Sequence, residues 1–300
     1  MRDQNNQQQQ ILPPPQAKRR RSSLPILILA VLFVSATFLT WYYTWFGRDL
    51  TEQEISAYLA DEKHPRHVQH ALLQIEQRIE KDGGSCCQQW YPRIQELTAN
   101  PETEYRMTAA WLMGYDNTSG QFHQSLRKLL GDKEPMVRRN ASLALVRFND
   151  STGRSELLTI LKPFPVSTSV EGILNSTLNE GSVVARGTLL ARIREASGVV
   201  TELRSPLPGR IEKIAIGNGS DVAASVTIMT LSSDATSVWE ALRGLAIIGK
   251  PDDLSEIEPY SQGVGNLPEG IKKQAALTAK AIQSRTAQQG QATQKSSLTQ

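Results

Sequence analysis

The sequence predicts a mainly α-helical chain with one transmembrane helix near its N-terminus and a small all-β insert, on three observations. A run of 23 residues, 24–46, has no charge and is rich in Leu, Ile, Val and Phe. Beyond it, short segments carry apolar side chains at helical spacing, and two of them repeat at an offset of 32 residues. Between 166 and 233 the period changes to two, broken by Glu180-Gly181 and by Gly217-Asn218-Gly219.

Residues 1–23 open the chain. The stretch 1–17 is rich in Gln and Pro and poor in large apolar groups, so burial cannot offset the entropy of ordering it. A disordered tail is expected there, cytoplasmic because Lys18, Arg19, Arg20 and Arg21 precede the apolar run and only Arg48 follows it directly. The run itself exceeds the ~20 residues that a bilayer core requires. It ends in Trp41, Tyr42, Tyr43 and Trp45, whose rings suit the headgroup level, so the expectation is an uncleaved anchor in contact with the lipid bilayer. The expected localisation is therefore a single-pass membrane protein with its C-terminal bulk extracytoplasmic, or periplasmic in a bacterium.

Helical segments are expected over 50–163. Thr51 and Glu54 form a capping-box pattern ahead of Ile55, Tyr58 and Leu59. Pro65 starts a second helix with Val68, Ala71, Leu72, Ile75 and Ile79 on one stripe. Further pieces follow at 90–98, 104–113, 121–130 and 136–148, each too short to be stable alone, so their stripes must stack. Asn100-Pro101-x3-Tyr105-Arg106-x2-Ala109 matches Asp132-x4-Val137-Arg138-x2-Ala141. Asp132, Val137, Arg138, Ala141, Ala144 and Leu145 resemble the second helix of a HEAT repeat. A similar turn and small-residue helix follows at Leu267-Pro268-Glu269-x-Ile271-Lys272-x2-Ala275, so C-terminal HEAT-like helices are expected over 235–285. The Gln-, Ser- and Thr-rich stretch 286–300 reads as a second disordered tail.

The segment 166–233 is a duplicated half. Gly172-Ile173-Leu174 leads through Gly181, Val184 and Gly187 to Leu190 and Ile193, and Gly209-Arg210-Ile211 leads through Gly219, Val222 and Ser225 to Ile228 and Leu231. With Ser205-Pro206-Leu207-Pro208-Gly209-Arg210-Ile211 it resembles the biotinyl/lipoyl domain, which implies a small flattened β-barrel. In carrier members a lysine in the hairpin between the halves holds the prosthetic group. The corresponding run here is Glu195-Ala196-Ser197-Gly198-Val199, so Gly198 occupies the carrier-lysine position. No lysine lies between Lys162 and Lys213. The resemblance thus implies a barrel kept for contact, with no cofactor, similar to lysine-free barrels of periplasmic adaptor proteins; those carry a helical hairpin between the halves, and here only about a dozen residues intervene.

The full expectation is HEAT-like helical repeats with an inserted biotinyl/lipoyl-like barrel and one transmembrane helix. Basic and acidic residues number 33 and 30, and the basic excess clusters before Leu24, which argues against nucleic acid as a partner. His64, His67 and His70 stand three apart around a helix start, and His67 with His70 could approach one metal from successive turns. No carboxylate stands at a persuasive ligand spacing, so a solvated helix edge and no metal are expected. Cys86-Cys87 follows a Gly-Gly loop with no base nearby, which favours free or buried thiols over a vicinal or intermolecular disulfide, and either over catalysis. No nucleophile elbow or phosphate-binding glycine loop occurs. Gly263-x-Gly265 reads as a flexible connector. Asn117, Asn140, Asn175 and Asn218 open Asn-x-Ser/Thr triplets, relevant only in a eukaryotic secretory pathway. The expected function is that of a non-enzymatic membrane-anchored scaffold or adaptor that binds other proteins, among them membrane-complex components. The rivals are a HEAT-type lyase or cofactor-maturation enzyme, and an accessory subunit of an export or respiratory complex.

Overall fold

The computed structural model describes residues 24–45, 48–176, 178–264 and 267–297. Side chains at 41, 43–45, 289–290 and 292–297 fall outside that description. The tail expected at 1–23 also lies outside it, as do 298–300 of the one expected at 286–300. The chain divides into two compact units, Met1–Asp49 and Leu50–Gln300.

The first unit contributes α1 (Leu24–Trp45), whose described side chains are uncharged, mostly apolar and exposed. Among the described residues no helix is long and apolar enough to cross a membrane. The expected span at 24–46 is corrected accordingly. The single-pass topology, the bilayer contact and the extracytoplasmic placement fall with it.

In the second unit the helices pair in sequence: α2 (Glu52–Ala60) with α3 (Pro65–Asp82), α4 (Tyr91–Leu97) with α5 (Thr103–Met113), and α6 (Gly120–Leu129) with α7 (Pro135–Arg147). Then α8 (Arg154–Ile160) packs on α9 (Ala235–Ile248), and α10 (Leu254–Gln262) on α11 (Glu269–Ser297). Second members form a row, α3 against α5, α5 against α7, α7 against α9 and α9 against α11. Local chemistry starts these helices where the sequence indicates. The Thr51 hydroxyl accepts from the Glu54 N–H at 3.3 Å while the Glu54 carboxylate accepts from the Thr51 N–H at 2.8 Å. Pro65 occupies the first turn of α3. Helix α11 runs on through 286–297, the part of the expected polar tail that is described. Gly263, expected in a flexible connector, is instead the left-handed cap of α10 at φ 90°.

Successive pairs are tied by a ladder of polar residues that repeats with the helices. Arg106 donates from Nε and Nη2 to the two oxygens of Asp132 at 2.7 and 3.1 Å, and from Nη1 to the carbonyls of Asn100 and Pro101. One repeat later Arg138 donates to Glu156 and to the carbonyls of Asp132 and Lys133. Arg154 then reaches Asp253. Asn100 and Asp132 also cap the chain two residues on, accepting from the N–H groups of Glu102 and Glu134. The 32-residue offset seen in the sequence is therefore the spacing of one rung.

The strands β1 (Phe164–Ser167), β2 (Gly172–Asn175), β3 (Val183–Val184), β4 (Leu189–Arg194), β5 (Val200–Arg204), β6 (Gly209–Ile214), β7 (Asp221–Val222) and β8 (Thr227–Ser233) lie between α8 and α9. They form two four-stranded antiparallel sheets, β1-β8-β6-β3 and β5-β4-β2-β7. The expected closed barrel, and with it the predicted fold class, is corrected to an open two-sheet sandwich, because no ladder joins one sheet to the other among the described residues. The duplication is visible as an exchange: two-residue β3 pairs with β6 of the other half, and two-residue β7 with β2. Such short strands offer too few hydrogen bonds to carry a sheet around a closed circuit. Gly172 and Gly209 hold equivalent places, and a Cβ at either would run into a neighbouring carbonyl oxygen, of Arg194 and Ser232 respectively. Because β1 pairs with β8, the insert begins and ends at one place, and α8 and α9 still pack as a pair.

Three apolar cores result: one under α2–α7, one under α8–α11 with the end of α7, and one between the sheets. The side chains of Arg106 and Asp132 are only 7% and 9% exposed, and removing one partner strands the other as a buried charge. Asp132→Ala is expected to cost about 3–5 kcal/mol in urea unfolding, and the apolar double replacement Arg106→Met with Asp132→Leu to recover most of it.

Acid should act through the same groups. Burial opposes ionisation of Asp132, Asp116 and Asp150, but their partners outweigh it and hold all three carboxyls below their ordinary values. For Asp132 these are Arg106 and the Glu134 N–H; for Asp116, Thr118 and Tyr91; for Asp150, Arg127, Thr152 and His123. Groups depressed in this way contribute stability that is complete above the unfolded value of about 3.9 and is lost as pH falls through the lower folded values. Melting temperature measured against pH should therefore fall steeply below about pH 4. Asp150→Asn should flatten that fall.

Candidate functional site

One face of the row of second helices carries half-buried and exposed side chains of mixed aromatic, apolar and charged character. In α3 this face carries Leu73 and Glu76, in α5 Trp111, followed by Tyr115, in α7 Leu143 and Arg147, and in α9 Trp239, Glu240, Arg243 and Ile247. Each set recurs at three or four residues, one stripe per helix, opposite the buried stripe. Leu73, Trp239 and Ile247 are exposed large apolar side chains.

Contacts join these stripes across the helices. The Trp111 indole N–H points to Glu76 Oε1 at 3.4 Å, and the Trp111 and Tyr115 rings meet edge to face at 6.0 Å. The Arg147 guanidinium lies over both rings, 4.3 Å from the Tyr115 centroid and 5.3 Å from that of Trp111. Arg243 lies over Trp239 at 4.6 Å. These are cation–π distances, and stacking of this kind holds a guanidinium flat while leaving its N–H edge to solvent. The Glu240 carboxyl, on the same helix as Arg243, is held above its ordinary value. Burial and Asp234 push its carboxyl up, while Arg243 and Arg147 pull it down. Among the described residues neither Arg147 nor Arg243 forms an ion pair with a carboxylate at contact distance. Sequence reasoning passed over these five aromatic and arginine residues; the signal available was Trp111/Tyr115 and Trp239/Arg243 at i,i+4 spacing, off the apolar stripes.

The residues that the sequence singled out lie elsewhere. His64 occupies the N-cap position of α3 without a side-chain cap bond, and His67 sits in the first turn. Their Nδ1 atoms converge on Asp61 Oδ2, each at 2.8 Å. The grouping differs from the His67/His70 pair that helical spacing suggested: the third donor comes from the carboxylate at the end of α2, and His70 is not in the group. His123 instead reaches Asp150 at 2.7 Å, beside Arg127. Gly198, at the carrier-lysine position, is the left-handed residue of the β4–β5 hairpin at φ 84°. Arg139 of α7 is buried, and none of its guanidinium nitrogens has a hydrogen-bond partner among the described residues. Burial pulls its pKa down to about 10, opposed by Glu156 and Asp234, so it stays charged at neutral pH.

Cys86 and Cys87 fall in a single 3-10 turn with sulfurs 2.6 Å apart, Cys86 exposed and Cys87 buried. Burial, then the neighbouring Cys86, pushes the Cys87 thiol far up. Only the thiolate is a nucleophile. In the reduced, folded protein maleimide should alkylate Cys86 within minutes and Cys87 only after denaturation; mass spectrometry showing two adducts at early times would contradict this assignment.

Comparison with known protein-family models and with curated proteins finds no match for this chain.

Proposed function

We propose that the chain is a non-enzymatic adaptor that binds another protein along the α3–α5–α7–α9 face, its helix pairs acting as a HEAT-like array and the two-sheet insert offering a second contact surface. The observation that carries this reading is the continuity of Trp111, Tyr115, Arg147, Trp239 and Arg243 across three second helices. Trp, Tyr and Arg are the side chains that dominate interface energetics, because each brings a large contact area at small entropic cost together with a polar edge. An exposed apolar stripe rimmed by charge marks a contact surface more often than a solvent face.

The chemistry of the partner follows from what the face lacks. Two guanidinium groups are fixed on aromatic rings with their N–H edges free of carboxylates at contact distance, so the matching segment presents Asp or Glu side chains. Leu73, Trp239 and Ile247 call for Leu- or Phe-sized groups beside them. An acidic segment with interleaved apolar residues meets both demands.

Selection of a phage-displayed random peptide library on the full-length protein tests this. Enriched peptides should combine Asp or Glu with Leu or Phe, and Trp239→Ala and Arg147→Glu should each weaken their binding at least about tenfold without lowering the melting temperature. Peptides without that composition, or peptides that bind the variants as tightly as the parent, would defeat the proposal.

A further inference from the structure

We infer that Asp61, His64 and His67 form a binding site for a divalent transition ion of the zinc class, independent of the helical face described above. The three donor atoms, Asp61 Oδ2, His64 Nδ1 and His67 Nδ1, lie within 4.8 Å of one another. A tetrahedral zinc with bonds of about 2.0–2.1 Å to nitrogen and oxygen sets its ligands about 3.4 Å apart. Both nitrogens already lie 2.8 Å from the carboxylate oxygen. Two imidazoles and one carboxylate suit zinc and its neighbours, whereas calcium and magnesium take oxygen ligands.

The donors sit on a turn that is held from several sides. The His64 N–H donates to the Asp61 carbonyl at 3.1 Å and the His67 N–H to the His64 carbonyl at 2.8 Å. Arg93 pairs with Glu62, in the middle of the turn. The Tyr58 ring stacks on His67, 4.3 Å between centroids and 13° from parallel, which fixes the imidazole plane.

The plain alternative is that two neutral imidazoles donate to a carboxylate at the surface. Such exposed bonds contribute little. The carboxylate also has a structural use nearby that it does not serve: the N-terminus of α3 has no side-chain cap, His64 making none. Instead Asp61 turns to the two imidazoles, and it does so although His64, His67 and Asp61 are 66%, 41% and 31% exposed and free to point into water. Binding requires the proton of each imidazole on Nε2, leaving the Nδ1 lone pair for the ion. The three residues leave at least one coordination position to water or to a donor from another molecule.

Titration of the full-length protein with cobalt(II), followed by displacement with zinc(II), tests the site. Expected are one equivalent bound and a visible ligand-field spectrum of nitrogen and oxygen ligation. Asp61→Asn, His64→Gln and His67→Gln should each weaken binding at least about tenfold, while His123→Gln leaves it unchanged. All three substituted side chains are at the surface, and the metal-free melting temperature checks that the fold is intact. Absence of saturable uptake, uptake indifferent to the three substitutions, or a thiolate-to-cobalt charge-transfer band that assigns the ion to Cys86 and Cys87 would each overturn the inference.

Discussion

Much of the second unit depends on the buried pair of Arg106 and Asp132. Short helices such as α4 and α5 have too few turns to be stable alone, so the molecule stands only if consecutive pairs are held in register. Apolar stacking supplies the driving force but tolerates sliding. A guanidinium that satisfies two carboxylate oxygens and two carbonyls at once does not. Its position therefore fixes where the third pair begins relative to the second. Arg138 repeats the arrangement one pair on, with Glu156 and two carbonyls, and Arg154 adds an ion pair to Asp253.

The same register aligns the face on which the functional proposal rests. Each second helix buries one stripe and leaves the opposite one outward, so helices stacked at a fixed offset bring Arg147 of α7 over Trp111 of α5. The inserted sandwich could have disrupted this, since 74 residues separate α8 from α9. Pairing of its first strand with its last returns the chain to its starting point, and closing a long loop costs only slowly more entropy with length. The helical row passes the insert as if it were a short turn.

Local rules made much of the helical part legible. Thr51 with Glu54, Pro65, and the stripes of Phe122/Leu126 and Val137/Ala141/Leu145 encode helices through contacts within a few residues, and α5, α6 and α7 lie within a residue of where periodicity puts them. The seven-residue α8 and the nine-residue α10, with Pro259 inside, were not singled out, because neither opens on a side-chain cap of the kind that marks α2. Residues 24–46 show the limit of composition: an uncharged apolar run was read as a membrane span, yet among the described residues no helix meets the length and apolarity that crossing requires.

What the sequence determined by itself is therefore the set of helical and extended pieces, their caps, and the twofold repeat inside 166–233, because each depends on neighbours along the chain. Tertiary structure alone decided that β3 and β7 change halves and the sheets stay open, since pairing partners of two-residue strands are fixed by geometry and carry no pattern. It alone placed Arg147 on Trp111 and Tyr115, over 30 residues away in sequence. It alone turned Asp61 toward His64 and His67, because the direction of a side chain at a helix end is set by the turn that the packed helices permit.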